Sequence, residues 1–147
     1  MSQIIPLITS GIAGPLGVLH LPRLWQKASL DAAGKLHPDY PAAGAGYDQM
    51  TLDALGIDRD TFLAYIKDEK PSYTQCEQWI LDQKGGTLDT GAIDAHNAAV
   101  VGYNHDEETR KGILEAVGLA DTGAILDAIN LNNLEDWQDF YEAEISS

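Results

Sequence analysis

His20-Leu-Pro-Arg-Leu-Trp-Gln-Lys-Ala-Ser-Leu-Asp-Ala-Ala-Gly34 reads as one amphipathic helix with its own start and stop signals. Pro22 suits the first turn, where a missing N–H removes no helical hydrogen bond. Leu21, Leu24, Trp25, Ala28 and Ala32 recur at helical spacing on one face, while Arg23 and Lys27 fall on another. Gly34 ends the helix, and the prolines of His37-Pro-Asp-Tyr-Pro41 forbid its continuation. Residues 37–47 are therefore expected to form an ordered loop, with Gly44 and Gly46 supplying backbone freedom.

The same period dominates the rest of the chain, and strand alternation is almost absent. A short helix from Asp48 to Leu55 closes at Gly56, and Asp58 or Asp60 caps the next, which carries Phe62, Leu63 and Ile66 and stops at Pro71. Thr74-Gln-Cys-Glu77 has the form of a capping box, with Cys76, Trp79 and Ile80 at core spacing. Gly85-Gly86 ends that helix, and residues 85–88 are the natural place for a subdomain seam. Asp89 caps a helix with Ile93, Val100 and Val101, and Asp106 one with Ile113, Leu114 and Val117. Thr122 to Asn130 gives a further helical segment, and Asn132 or Asn133 caps the last helix, with Leu134, Trp137, Tyr141 and Ile145 on one side. The expectation is one all-α domain over residues 1–147, built from about seven helices. Asp89-Thr-Gly-Ala-Ile93 recurs as Asp121-Thr-Gly-Ala-Ile125, which reads as reused cap chemistry because two copies fall short of a solenoid.

At 147 residues with a hydrophobic share of 44%, the chain has material for one adequate core despite a net charge of −14. A sequence pI near 4.3 argues against nucleic-acid backbones and anionic membranes as partners, and accords with solubility or life at high salt. No stretch approaches the ~18 apolar residues of a membrane helix. Cys76 is the single cysteine, so neither an internal disulfide nor a Cys-based zinc site is available. The first residues lack a basic stretch ahead of an apolar run and are broken by Gly11, Gly14, Pro15 and Gly17, so a cytoplasmic location is expected.

Residues 1–30 hold Arg23 and Lys27 and not one Asp or Glu, whereas the whole chain has 23 acids against nine Lys and Arg. His20, Arg23 and Lys27, with His37, Asp39, Tyr40, Tyr47 and Asp48 of the following loop, form the richest polar constellation. Arg23 lies near a helix N-terminus, whose free N–H groups and dipole already favour an anion. The functional expectation is a small-anion pocket: Arg23 and Lys27 bind the anion, His20 or His37 exchanges protons, and Tyr40, Tyr47 or Asp48 orients the ligand. The competing expectation is that Arg23 and Lys27 pair with acids, foremost Glu135, Asp136, Asp139, Glu142 and Glu144.

His96 and His105 lack the ligand spacing of a metal site, and His96 falls at a core edge, so no metal or cofactor is expected. Cys76 reads as a packed thiol, and no nucleophile motif or phosphate-cradling loop is present.

His20-Leu-Pro-Arg-Leu24, Ala33-Gly-Lys-Leu36, Gly46-Tyr-Asp48, Leu55-Gly-Ile-Asp58 and Trp79-Ile-Leu81 together resemble a family of small bacterial proteins described as a domain of unknown function. The resemblance implies a cytoplasmic, mainly helical protein and carries no activity or site residues. Two function classes follow from the residues themselves. The favoured one is a non-enzymatic interaction protein, meeting a basic protein partner or pairing its helices in a homodimer, which expects an exposed apolar patch. The alternative is an enzyme or sensor for a small anionic metabolite, which expects the constellation to converge in a concave site.

Overall fold

Side-chain caps set the helix starts in the computed structural model, which describes residues 3–146. Seven α-helices appear among the described residues: α1 Leu21–Ala32, α2 Tyr47–Leu55, α3 Arg59–Glu69, α4 Tyr73–Gln83, α5 Thr90–Gly102, α6 Glu107–Ala116 and α7 Ala128–Phe140. A π-helical turn, Tyr141–Ile145, extends α7. Asp58, Asp89, Asp106 and Asp127 each accept the backbone N–H three residues on, at Thr61, Ala92, Thr109 and Asn130. Strand pairing among the described residues is confined to isolated bridges such as Ile4 with Leu36. The fold is all-α, and no helix is long and apolar enough to cross a membrane among these residues.

Three local expectations are corrected. The capping box is Ser72 with Gln75, not Thr74 with Glu77. Ser72 follows Pro71 and leaves Glu77 free to accept from the Tyr73 hydroxyl at 2.7 Å and from Leu16 N–H at 3.2 Å. Residues 121–127 form a turn rather than a helix, because Asp121 accepts from Gly123 N–H and pairs with Arg110, and Asp127 then caps α7. Asn132 and Asn133 consequently lie inside α7, whose buried stripe is Ala128, Leu131 and Asp136; Trp137, Tyr141 and Ile145 are 58%, 48% and 62% exposed.

The main core draws Leu21, Leu24 and Ala28 from α1, Leu52 and Leu55 from α2, Phe62 and Ile66 from α3, Cys76 and Ile80 from α4, and Ile93 from α5. Ile80 and Ile93 thus share one core across Gly85-Gly86. Full burial of each large side chain contributes roughly 1.5–3 kcal/mol. Burial pushes the Cys76 thiol up to about 12, so it is a packed thiol at neutral pH. A second, thin cluster joins Ile113 and Leu114 of α6 to Leu131 of α7.

Candidate functional site

His20 precedes α1 with φ at 74°, in the left-handed region that residues other than Gly adopt infrequently and that His, Asn and Asp tolerate best. Its backbone N–H donates to Ile12 carbonyl, and its ring is buried between the irregular segment before α1 and the start of α2. Ser10 Oγ lies 2.8 Å from Nδ1, and Asp48 Oδ1 lies 2.5 Å from Nε2. An ionised Asp48 only accepts, so Nε2 carries the proton and Nδ1 accepts from the Ser10 hydroxyl. Burial lowers the His20 pKa and outweighs the opposing pull of Asp48, which keeps the ring neutral near pH 7.

Asp48 is the hub of this wall. Besides His20, it accepts from Lys27 Nζ at 2.5 Å and from Gly44 N–H at 2.7 Å. Burial works against the carboxylate, but the His20 hydrogen bond and the Lys27 ammonium prevail and hold its pKa at about 2. The Gly44 contact also orders the loop, as does Arg59 Nε donating to the Ala43 carbonyl.

One turn earlier on α1, Arg23 meets Asp136 of α7 in a two-point ion pair, with Nη atoms 2.7 and 3.1 Å from the two carboxylate oxygens. The guanidinium also donates to the carbonyls of Ile8 and Pro6, tying the N-terminal segment to α1. The Tyr40 hydroxyl lies 3.1 Å from Asp136 and 2.8 Å from Asp139, and its single proton serves one or the other. Burial raises the Tyr40 pKa, and raises that of Asp136 despite Arg23.

These walls enclose a cleft of about 880 Å³. Of the seven residues read from the sequence, His20, Arg23, Lys27, Tyr40, Tyr47 and Asp48 line it. His37 does not: its ring stands edge-on to Tyr40 at 5.8 Å, and Nδ1 accepts from Asp39 N–H. The charge argument anticipated pairing with the α7 acids, and Arg23 does so, but Lys27 pairs with Asp48.

Ser10, Tyr103, His105, Asn132, Glu135 and Asp139 also line it; of these, sequence reading named Glu135 and Asp139 only as acids that could pair with Arg23 and Lys27, and it did not place the other four in the site. Ser10 lies in a segment without periodicity, so nothing local marks it. The acids of α7 did carry a signal, since Ala128, Leu131, Asn132, Glu135, Asp136 and Asp139 follow helical spacing, but as a polar stripe it reads as a solvent face. Burial raises the Glu135 pKa, and Asp139 and Asp136 add to it. His105 Nε2 is 2.8 Å from Asn132 Oδ1, and Tyr47 sits between His20 and Tyr103 with ring centroids at 5.4 and 5.6 Å. His96 is buried at a core edge, with Nε2 donating to Leu19 carbonyl.

The model of a family described as a domain of unknown function, DUF5069, matches residues 12–142. The chain belongs to this family. The DUF5069 span takes in both walls of the cleft, from His20 to Asp139, and begins just after Ser10. No curated protein matches the chain. Membership carries the fold's recurrence and no activity.

Proposed function

We propose that the cleft binds a small organic cation. The observation that carries this reading is its charge balance: Asp39, Asp48, Glu135 and Asp139 line it against Arg23 and Lys27, and both bases already hold carboxylates. An anion would have to draw Arg23 or Lys27 out of a buried pair, at a cost of about 3–5 kcal/mol for the carboxylate left behind. A cation instead meets the carboxyl groups of Glu135 and Asp139, and Tyr40, Tyr47 and Tyr103 also line the cleft, where an ammonium group over an aromatic face gains about 0.5–2 kcal/mol. The overall acidity, which disfavours nucleic acid and anionic membranes, fits this role in a bacterial cytoplasm.

The test is thermal melting at fixed ionic strength with choline, putrescine and tetramethylammonium set against phosphate and citrate. A bound cation at ~100 times its Kd adds about 2.7 kcal/mol and raises Tm by several degrees. That gain disappears in the pair Glu135→Gln and Asp139→Asn. Stabilisation by the anions alone returns the site to the anion reading, and silence from both sets removes the small-ligand role.

A second reading rests on the exposed stripe of Trp137, Tyr141 and Ile145, spaced at i, i+4 and i+8 along α7 and its extension. Its occupant is a second copy of this chain. Sedimentation equilibrium checks it: a dimer that dissociates in Trp137→Glu supports this reading, and a monomer at all concentrations rejects it.

A further inference from the structure

We propose that Ser10, His20 and Asp48 form a nucleophilic relay that cleaves acyl esters bound in the cleft. The proposal rests on the cation reading for its substrate class, an ester or thioester whose cationic group faces the acids of α7.

The geometry supplies the parts of such a relay in order. Asp48 accepts the Nε2 proton at 2.5 Å, which fixes the tautomer and leaves the Nδ1 lone pair toward Ser10 Oγ at 2.8 Å. All three residues are buried and line the same cleft. His20 takes the left-handed conformation at the start of α1, and its ring lies between Ser10 and Asp48. Arg23 acts as a positioning residue, because its bonds to the Pro6 and Ile8 carbonyls hold the segment that delivers Ser10.

In the step itself, Oγ forms a bond to the acyl carbon while its proton passes to Nδ1. The carbonyl electron pair moves to oxygen, giving a tetrahedral intermediate. Collapse breaks the bond to the leaving oxygen or sulfur, which takes the proton from Nδ1. Water then attacks the acyl-serine with His20 as base, releasing the acid and restoring Ser10. Phosphoryl esters fit less well, since the surplus charge of the lining repels them and both bases are already matched.

The groups that face His20 are Ser10 from the preceding segment, Arg23 and Lys27 from α1, and Asp48 and Tyr47 from α2. The test treats the full chain with diisopropyl fluorophosphate, follows intact mass and maps the labelled peptide. One adduct on Ser10 is expected, with the O–P bond formed, fluoride released and the rate rising as the imidazole loses its proton. Ser10→Ala abolishes it, and His20→Asn, which tolerates the left-handed backbone, slows it at least ~100-fold. The labelling site in the unaltered protein decides the point even where a variant fails to fold. Acetylthiocholine is expected to turn over faster than neutral S-propyl thioacetate. Labelling without that preference keeps the relay and overturns the cationic substrate class. Stabilisation by choline without labelling overturns the relay and leaves the binding site. Neither stabilisation nor labelling overturns both.

Discussion

Asp48 on α2 and Asp136 on α7 are both buried carboxylates, and their basic partners Lys27 and Arg23 stand one turn apart on α1, yet their pKa values move in opposite directions. Asp48 accepts from three groups, His20, Lys27 and Gly44 N–H, and its charge is held. Asp136 has Arg23 and a share of the Tyr40 proton, but burial and the nearby Asp139 charge act against it. The difference follows their place in the fold. Asp48 sits on the helices that build the main core, whereas Asp136 fastens a layer whose own apolar cluster, among the described residues, buries Ile113, Leu114 and Leu131. One ion pair serves as a floor and the other as a clasp.

Removing the clasp gives the largest expected effect. Arg23→Ala leaves Asp136 buried without its base and should cost about 3–5 kcal/mol, measured by urea denaturation. Hydrogen exchange should quicken first in α7, and the double change Arg23→Met with Asp136→Leu should recover most of the loss. A cost below about 1 kcal/mol means the pair is screened like a surface bridge, and the distinction from Asp48 collapses.

The two apolar clusters sharpen the comparison at a somewhat smaller scale. Leu131→Ala and Leu24→Ala each remove a fully buried leucine and should cost about 2–5 kcal/mol. The pattern of exchange separates them. Leu24→Ala should lower protection throughout α1–α5, and Leu131→Ala only in α6 and α7. Uniform loss in both would make the thin layer part of one cooperative core.

The helical period was legible because each of α1–α6 buries an apolar stripe, and the caps Asp58, Asp89 and Asp106 were legible because a carboxylate there satisfies a nearby N–H. Six cleft residues were legible for another reason: in a chain short of bases, polar groups crowding one helix start must meet something. The register of α7 was not. Asp127, Asn132 and Asn133 are all good caps, and Trp137, Tyr141 and Ile145 look like a core stripe. The choice is made by a partner 113 residues away, since Arg23 turns Asp136 inward and thereby turns Trp137 out. Ser10 was invisible because it lies in a segment without periodicity and meets the cleft beside a His20 ring ten residues further along the chain.

Acid titration tests the carboxylates directly. Asp48 titrates in the fold at about 2, below its ordinary 3.8, so its stabilisation is complete above pH ~4 and is lost as pH falls toward 2. The amount is about 2 kcal/mol. Asp136 has the opposite sign: its raised folded pKa favours the protonated carboxyl, so its contribution grows as pH falls and is lost as pH rises through that value. Asp48→Asn should therefore flatten the acid limb of the stability curve, and Asp136→Asn should steepen it. The same direction of change in both variants would show that burial alone governs the two sites.

The smallest effect comes from the caps. Asp127→Ala removes the acceptor for Asn130 N–H at the start of α7, and Asp58→Ala removes the one for Thr61 N–H on α3; each should cost about 1 kcal/mol and a few degrees of Tm. Equal costs need not have equal consequences. α3 is held in the main core by Phe62 and Ile66, so its loosened first turn is restrained by packing. α7 has Leu131 and the Arg23 clasp, and its first turn also carries Ala128, whose N–H donates to Tyr103 carbonyl at the edge of the cleft. Asp127→Ala should therefore weaken choline binding while Asp58→Ala leaves it unchanged, and equal affinity in the two variants would mean that α7 is held in place without its cap.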